Sequence, residues 1–337
     1  MRKRSPMTCL WIPLLAALLF IFAEGTGQAE TKYYRWAAGL TTSNWYPISV
    51  TFSGKLEKDI PNLKMTVAPG GGISNPVSVG KGDAQLGWSY STNLSAAYKG
   101  LPPYDKKYEN LRFVATLMKS PLCAGVRARS DIHSWKDLIG KKVAMGIPTF
   151  AGNKLGRLVL AAYGVDEAKM KQMGGRIDNL DLNASADQMK DGLIDCIVIL
   201  ADPVQATWQD LDHTIPGGIR FVGIEEPDVW EKFSSKNPDY IKTEIPANYG
   251  PFKSHTKSVS IPGDCSVIFA RADVPDEIVY NLVKHIFDHL EDTRKIVGGV
   301  RNLDLETATA GDTIPVHPGA LKYFKEKGLD TSKLIIK

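Results

Sequence analysis

Cysteine is scarce: the chain has 4 in 337 residues, none in a CxxC pair. No His or Asn is placed to be recognised as the partner of a cysteine nucleophile, so thiol catalysis is set aside. Histidine is equally thin, with 6 residues scattered along the chain. His285 and His289 are four apart on one helical face, but no third ligand accompanies them, so no metal is expected. The chain has no GxGxxG, no P-loop lysine motif and no GxSxG, which removes the common phosphate-binding and nucleophile signatures. Gly70-Gly71-Gly72 follows an apolar run, yet no Lys-Ser/Thr follows it, so it reads as a turn. Internal repeats and low-complexity tracts are absent. No cofactor is expected and no catalytic constellation is recognisable.

A strong charge of either sign is missing too. The net charge is +4. Much of it sits at the start, where Arg2, Lys3 and Arg4 precede the uncharged apolar stretch Cys9 to Ala23. This pattern is that of a secretory signal over residues 1–29, with cleavage after Ala29 or Ala23. The apolar run is short for an uncleaved membrane anchor. Removing residues 1–29 lowers the formal charge from +4 to +2. No basic stripe remains that would fit nucleic acid. The remaining Cys123, Cys196 and Cys265 lie in apolar, strand-like runs and read as buried thiols, although a disulfide between two of them is compatible with an oxidising compartment.

What is present is a repeated strand, polar turn and helix. KKVAMGIP leads into Thr149-Phe150-Ala151-Gly152-Asn153. A helix follows, with Leu155, Leu158, Val159 and Ala162 at 3–4 spacing and Gly164 as its stop. The stretch from Ala37 to Ile60 has the same plan, with a turn at Thr41-Thr42-Ser43-Asn44 followed by Trp45 and Tyr46. Each turn sets hydroxyl, amide and backbone N–H groups at a helix N-terminus, which favours an anion. Trp88 and Ser89 follow another apolar run, at the carboxyl end of a strand, where open α/β sheets hold ligands. Asp202-Pro203 follows IDCIVIL. There Asp202 either caps the next helix or receives a cationic group. Trp45, Tyr46, Trp88, Phe150 and Tyr249 are the aromatic candidates for a cleft.

Several of these stretches resemble one family. They are AAGLTTSNWYPISVTFSGKLEKDIPNLKMTVAPGGG, GIPTFAGNKLGRLVLAAYGV, MKDGLIDCIVILADPVQA and RADVPDEIVYNLVKHIFDHLEDTRK with IPVHPGALKYFKEKG. In this order they resemble the TAXI-type solute receptors of TRAP transporters. The resemblance implies a bilobal periplasmic binding protein of type II-like α/β fold, two doubly wound lobes joined by hinge strands. It further implies a small-molecule ligand, typically a carboxylate such as glutamate or 2-oxoglutarate, passed to a TRAP membrane subunit driven by an ion gradient. The first turn has fewer glycines than the family pattern and a Trp in place of one aromatic. The second carries the bulky Phe150, and Asp202 stands where a glycine is common. A larger or aromatic carboxylate is therefore the alternative ligand, and a secreted enzyme or sensor domain on the same fold is the alternative function. One lobe is expected from residues 31–120 with 270–337 and the other from 121–269, because LRFVATLMKSPLCAGV runs on through Ser120-Pro121. The expected ligand contacts are Thr41, Thr42, Ser43, Asn44, Trp45, Tyr46, Trp88, Ser89, Thr149, Phe150, Ala151, Gly152, Asn153, Asp202 and Tyr249.

Overall fold

The computed structural model describes residues 30–148, 150–332 and 334. The signal-peptide reading and Thr149 lie outside them. The chain starts with β1 (Lys32–Ala37), α1 (Trp45–Asp59), β2 (Leu63–Ala68), α2 (Ser74–Lys81), β3 (Leu86–Tyr90) and α3 (Ser91–Lys99). β1 lies parallel to both β2 and β3, as helical crossovers require. The chain then runs along β4 (Leu111–Arg127), a strand of 17 residues buried over nearly all its length. Its Ser120-Pro121 step interrupts neither the strand nor its pairing.

A second α/β unit follows: β5 (Lys142–Ala144), α4 (Ala151–Ala162), α5 (Glu167–Gln172), β6 (Arg176–Asp178), α6 (Leu182–Lys190), β7 (Cys196–Leu200), α7 (Ala206–Thr214), β8 (Ile219–Phe221), α8 (Pro227–Lys236) and β9 (Ile241–Ile245). The long β10 (Val259–Arg271) returns the chain to the first unit, which α9 (Asp276–Phe287), α10 (Leu290–Arg294) and α11 (Pro318–Glu326) complete. The strand order is β2-β1-β3-β10-β4-β7-β5-β6, with β8 on β4 and β9 on β10.

β4 and β10 pair antiparallel from Leu111–Arg271 to Pro121–Gly263 and belong to both units. Apolar burial divides along them. One core holds Trp36, Phe52, Phe113, Val267, Phe269 and Phe324. The other holds Leu122, Leu155, Val198, Trp208, Phe221 and Ile261. We assign the first core to lobe I and the second to lobe II, with the crossing at Met118–Leu122 on β4 and Ile261–Cys265 on β10. The architecture is α/β, one ten-stranded mixed sheet with a separate apolar core at each end of the β4–β10 pair.

Local sequence explains the elements. α9 buries Ile278, Val279, Leu282, Val283 and Ile286, a 3–4 stripe, behind Asp276 and Glu277 in its first turn. α4 buries Leu155 and Val159 and brings Gly152 and Gly156 against β7. Two details differ from the sequence reading. The Leu155–Gly164 helix begins earlier, at Ala151. The helix expected at Pro203 begins at Ala206, so Asp202 is not its cap. Cys123, Cys196 and Cys265 are free and buried.

Candidate functional site

Three helix N-termini meet between the lobes. α1, α4 and α7 begin after Asn44, Phe150 and Gln205, and none of these residues caps its helix with a side chain. None has an acidic residue in its first turn either. Their leading N–H groups thus remain without side-chain acceptors, and each helix presents its positive end. All three face a cavity of about 260 Å³. Its floor is the strand crossing, where Met118, Ser120 and Ser266 line it and the Ser120 and Ser266 hydroxyls lie 2.8 Å apart. Lobe I contributes Gly39, Leu40, Gly70–Gly72 and Tyr90. Lobe II contributes Asp181–Asn183, Ile199–Ala201 and Thr207. The Tyr90 hydroxyl donates to Leu200 O at 2.8 Å and ties the two walls together.

Of the residues singled out by sequence, Thr42, Ser43, Asn44, Trp45, Phe150, Ala151, Gly152 and Asp202 line this cavity. The Ser43 hydroxyl is buried without a partner among the described residues. Others stand elsewhere, for physical reasons. Trp88 is 0% exposed and lies one layer behind Trp45, stacked on it at 5.5 Å and 8°. Its indole N–H donates to Ser49 Oγ at 2.9 Å. Trp45, 8% exposed, is the outer member of the stack and meets Tyr90 at 5.1 Å. Ser89 donates to Gly72 O at 2.6 Å and props the glycine turn from behind. Asn153 is buried within its own turn, donating to Gly146 O at 2.8 Å and Asn179 Oδ1 at 3.0 Å and accepting from Arg157 Nε. Thr41 is exposed outside the cavity, and Tyr46 packs on the lobe I core. Tyr249 lies under the guanidinium of Arg301, 4.4 Å from ring centre to Cζ.

Sequence reasoning missed Tyr90, Arg301 and Asn75. Arg301 comes from lobe I, across from Asp202 at 4.0 Å, and its Nη2 is buried without a hydrogen-bond partner among the described residues. Burial raises the Asp202 pKa, while Val204 N–H and Arg301 pull it down. Asp202 Oδ1 accepts from Val204 N at 2.7 Å. Asn75 gathers the lobe I wall. Its amide donates to Ala37 O, Ala38 O and Trp88 O and accepts from Gly71 N. A Cβ on Gly70 would fall 2.0 Å from Asn75 Oδ1, so only glycine fits beside this knot.

No Lys or Arg lines the cavity among the described residues, whereas Asp181 and Asp202 do. Asp181 is committed to capping α6 through Ala184 N at 2.9 Å. The chemistry offered to a bound molecule is therefore helix N–H groups, hydroxyls, two carboxylates and an apolar surface from Leu40, Trp45, Tyr90, Phe150 and Leu200.

Gly152 fixes the width of the site. A Cβ there would meet Leu200 N at 2.6 Å, and a backbone atom cannot yield locally. Gly152→Ala should push α4 off β7 and destabilise the protein by about 1–3 kcal/mol. Gly54→Ala, in exposed helix with nothing near its Cβ, should instead stabilise by about 0.5–1 kcal/mol. Paired urea titrations check both signs. Equal effects would contradict the close approach of α4 to β7.

The profile of the NMT1-like family matches residues 36–328. The chain belongs to the NMT1-like family. Among solved structures, it is similar to the alkanesulfonate-binding protein SsuA from Xanthomonas axonopodis pv. citri bound to MOPS. The identity is 15% and the TM-score 0.46, over 82% of this chain and 81% of that one. It is also similar to the periplasmic aliphatic sulphonate binding protein SsuA from Escherichia coli, at 14% identity and a TM-score of 0.47, over 88% and 92% of the two chains. A third similar structure is described for glutathione import via GshT and the cystine importer TcyBC of Streptococcus mutans. There the identity is 12% and the TM-score 0.48, over 79% and 92%.

Proposed function

We propose that this NMT1-like protein is a periplasmic solute receptor, not an enzyme, which captures a small organic acid and delivers it to a TRAP-type membrane subunit. The observation that carries the ligand class is the facing pair of helix N-termini at Asn44 and Phe150, neither capped by a side chain, across one cavity. A carboxylate there receives backbone N–H groups and the unspent Ser43 hydroxyl, each charge-assisted bond contributing about 1.5–3 kcal/mol. Asp202 in the same wall opposes a second negative charge and suits a cationic substituent, so a monoacid or a zwitterion fits better than a dianion. The TRAP assignment rests on the resemblance of the turn and C-terminal stretches to TAXI-type receptors.

Thermal-shift screening against carboxylates, amino acids and amines tests the ligand class, because ligand at 100 Kd adds about 2.7 kcal/mol of stability. Ser43→Ala should weaken the best hit roughly tenfold, the loss of one charge-assisted bond, and leave the unliganded melting temperature unchanged. Stabilisation by amines alone would overturn the acid reading. Uptake into vesicles carrying the TRAP subunit, driven by an ion gradient without ATP, tests delivery. Uptake that needs ATP would overturn it.

A further inference from the structure

The cleft cavity is not the only hollow at this end of lobe I. A groove of about 920 Å³ runs along α2 and is flanked on its other side by Pro103, Tyr104, Asp105, Lys106 and Tyr108. It shares Gly70, Gly71 and Phe150 with the cleft cavity. Two of those three residues carry no side chain, so the boundary between the hollows rests largely on the Phe150 ring. The groove floor is apolar, formed by Ile73 and Val77 of the α2 face with Tyr104 and Tyr108 opposite. Tyr104 is 7% exposed, and its hydroxyl is buried without a hydrogen-bond partner among the described residues. This phenol lies beneath the floor, so the groove meets the Tyr104 ring rather than its oxygen. The rim carries Lys81 and Lys106 with Asp83 and Asp105, both signs together, so no net field selects a charged occupant.

We propose that this groove is a second subsite, which takes the apolar chain of an elongated monoacid whose carboxylate sits in the cleft. The inference rests on reading the cleft as an acid site. Its own support is that the two hollows adjoin across the shared residues Gly70, Gly71 and Phe150 and differ in size. The cleft cavity is near the small end of ligand pockets and the groove near the large end. The chain passes the Phe150 ring and lies along Ile73 and Val77, with the Tyr104 and Tyr108 rings opposite.

The test is isothermal titration of the whole protein with straight-chain monocarboxylates from butanoate to dodecanoate, all below micelle-forming concentrations, and with the primary amides of the same chains. Affinity should rise about fourfold per methylene while the chain fills the groove, the value of burying a CH₂, and then level off. Ile73→Ser with Val77→Ser should flatten that rise and leave the shortest acid that binds unaffected, since neither residue lines the cleft cavity. If the double variant does not fold, the near-isosteric Val77→Thr serves, with a shallower rise expected. Short acids that bind with no gain from length would overturn the groove subsite and spare the acid reading. Amides that gain with length while acids do not bind would do the reverse. A length gain untouched by the groove variants overturns the assignment of the chain to this groove, and so does the absence of any gain in both series.

Discussion

Asp264→Ala should lower stability by about 3 kcal/mol or more, as expected when several buried donors lose their acceptor together. Asp264 sits on β10 at the lobe crossing and is fully buried. Its carboxylate accepts from Ser91 Oγ at 2.6 Å, from the Thr92 hydroxyl and N–H, and from Cys265 N at 2.8 Å. It therefore caps α3 from another part of the chain and pins that helix to the hinge strand. Burial raises its pKa from 3.8 to about 6, against the pull of those hydrogen bonds. The sign of the linkage follows. The folded state holds this proton more tightly than the unfolded chain, so the contribution to stability is full below about pH 4. It is lost as pH rises through about 6 and stays lost above. Asp264→Asn keeps the shape without the titration. The stability difference between Asn and wild type should therefore grow in favour of Asn by up to about 1.4 kcal/mol per pH unit between pH 4 and 6. The neighbouring Cys265 thiol, pushed up to about 12, and the Tyr90 and Tyr240 phenols, also raised by burial, stay neutral over this window. Urea titrations at pH 4, 5, 6 and 7 measure the difference. A constant difference would show that Asp264 does not titrate in this window.

The part of this structure that was legible in sequence is what local pattern encodes. The run through Ser120-Pro121 is a strand because its residues are apolar on both faces, and it crosses because both lobes bury it. The polar turns before α1 and α4 announce helix mouths, and both mouths do face the cavity. The contacts that finish the site are not local. Arg301 reaches Asp202 from 99 positions away, as the two residue numbers give. Tyr90 meets Leu200 at a separation of 110. Trp88 was misplaced because β3 from Leu86 to Ser89 is buried on both faces, so alternation cannot say which side meets a cleft. Asn153 was misplaced because an Asn at a helix start bonds its own turn as readily as a ligand.

Asn75 shows the same limit most sharply, and its replacement carries the second large effect. In sequence it is one polar residue in a short helix, SNPVSVGK. In the fold its single amide satisfies the ends of β1 and β3 and the glycine turn, through Ala37 O at 3.1 Å, Ala38 O at 2.8 Å, Trp88 O at 2.8 Å and Gly71 N at 3.0 Å. Asn75→Ala leaves these groups buried and unpaired and should cost about 3–4 kcal/mol. Asn75→Asp discriminates better, because it keeps the volume and replaces the donating Nδ2 with an oxygen that faces three carbonyls. At neutral pH that places a buried negative charge against their negative ends, so the loss should exceed that of alanine. The new carboxyl would hold its proton well above the usual carboxylate range. Stability should then return as pH falls, since only the protonated acid can donate to a carbonyl. Urea titrations of both variants at pH 5 and 7 give the comparison. An Asp variant less impaired than alanine at pH 7, or one not improved at pH 5, would mean the carbonyls are satisfied some other way. The glycine turn that Asn75 holds lines the cleft, so the same variants should lose ligand stabilisation in proportion to how far Gly70–Gly72 is released.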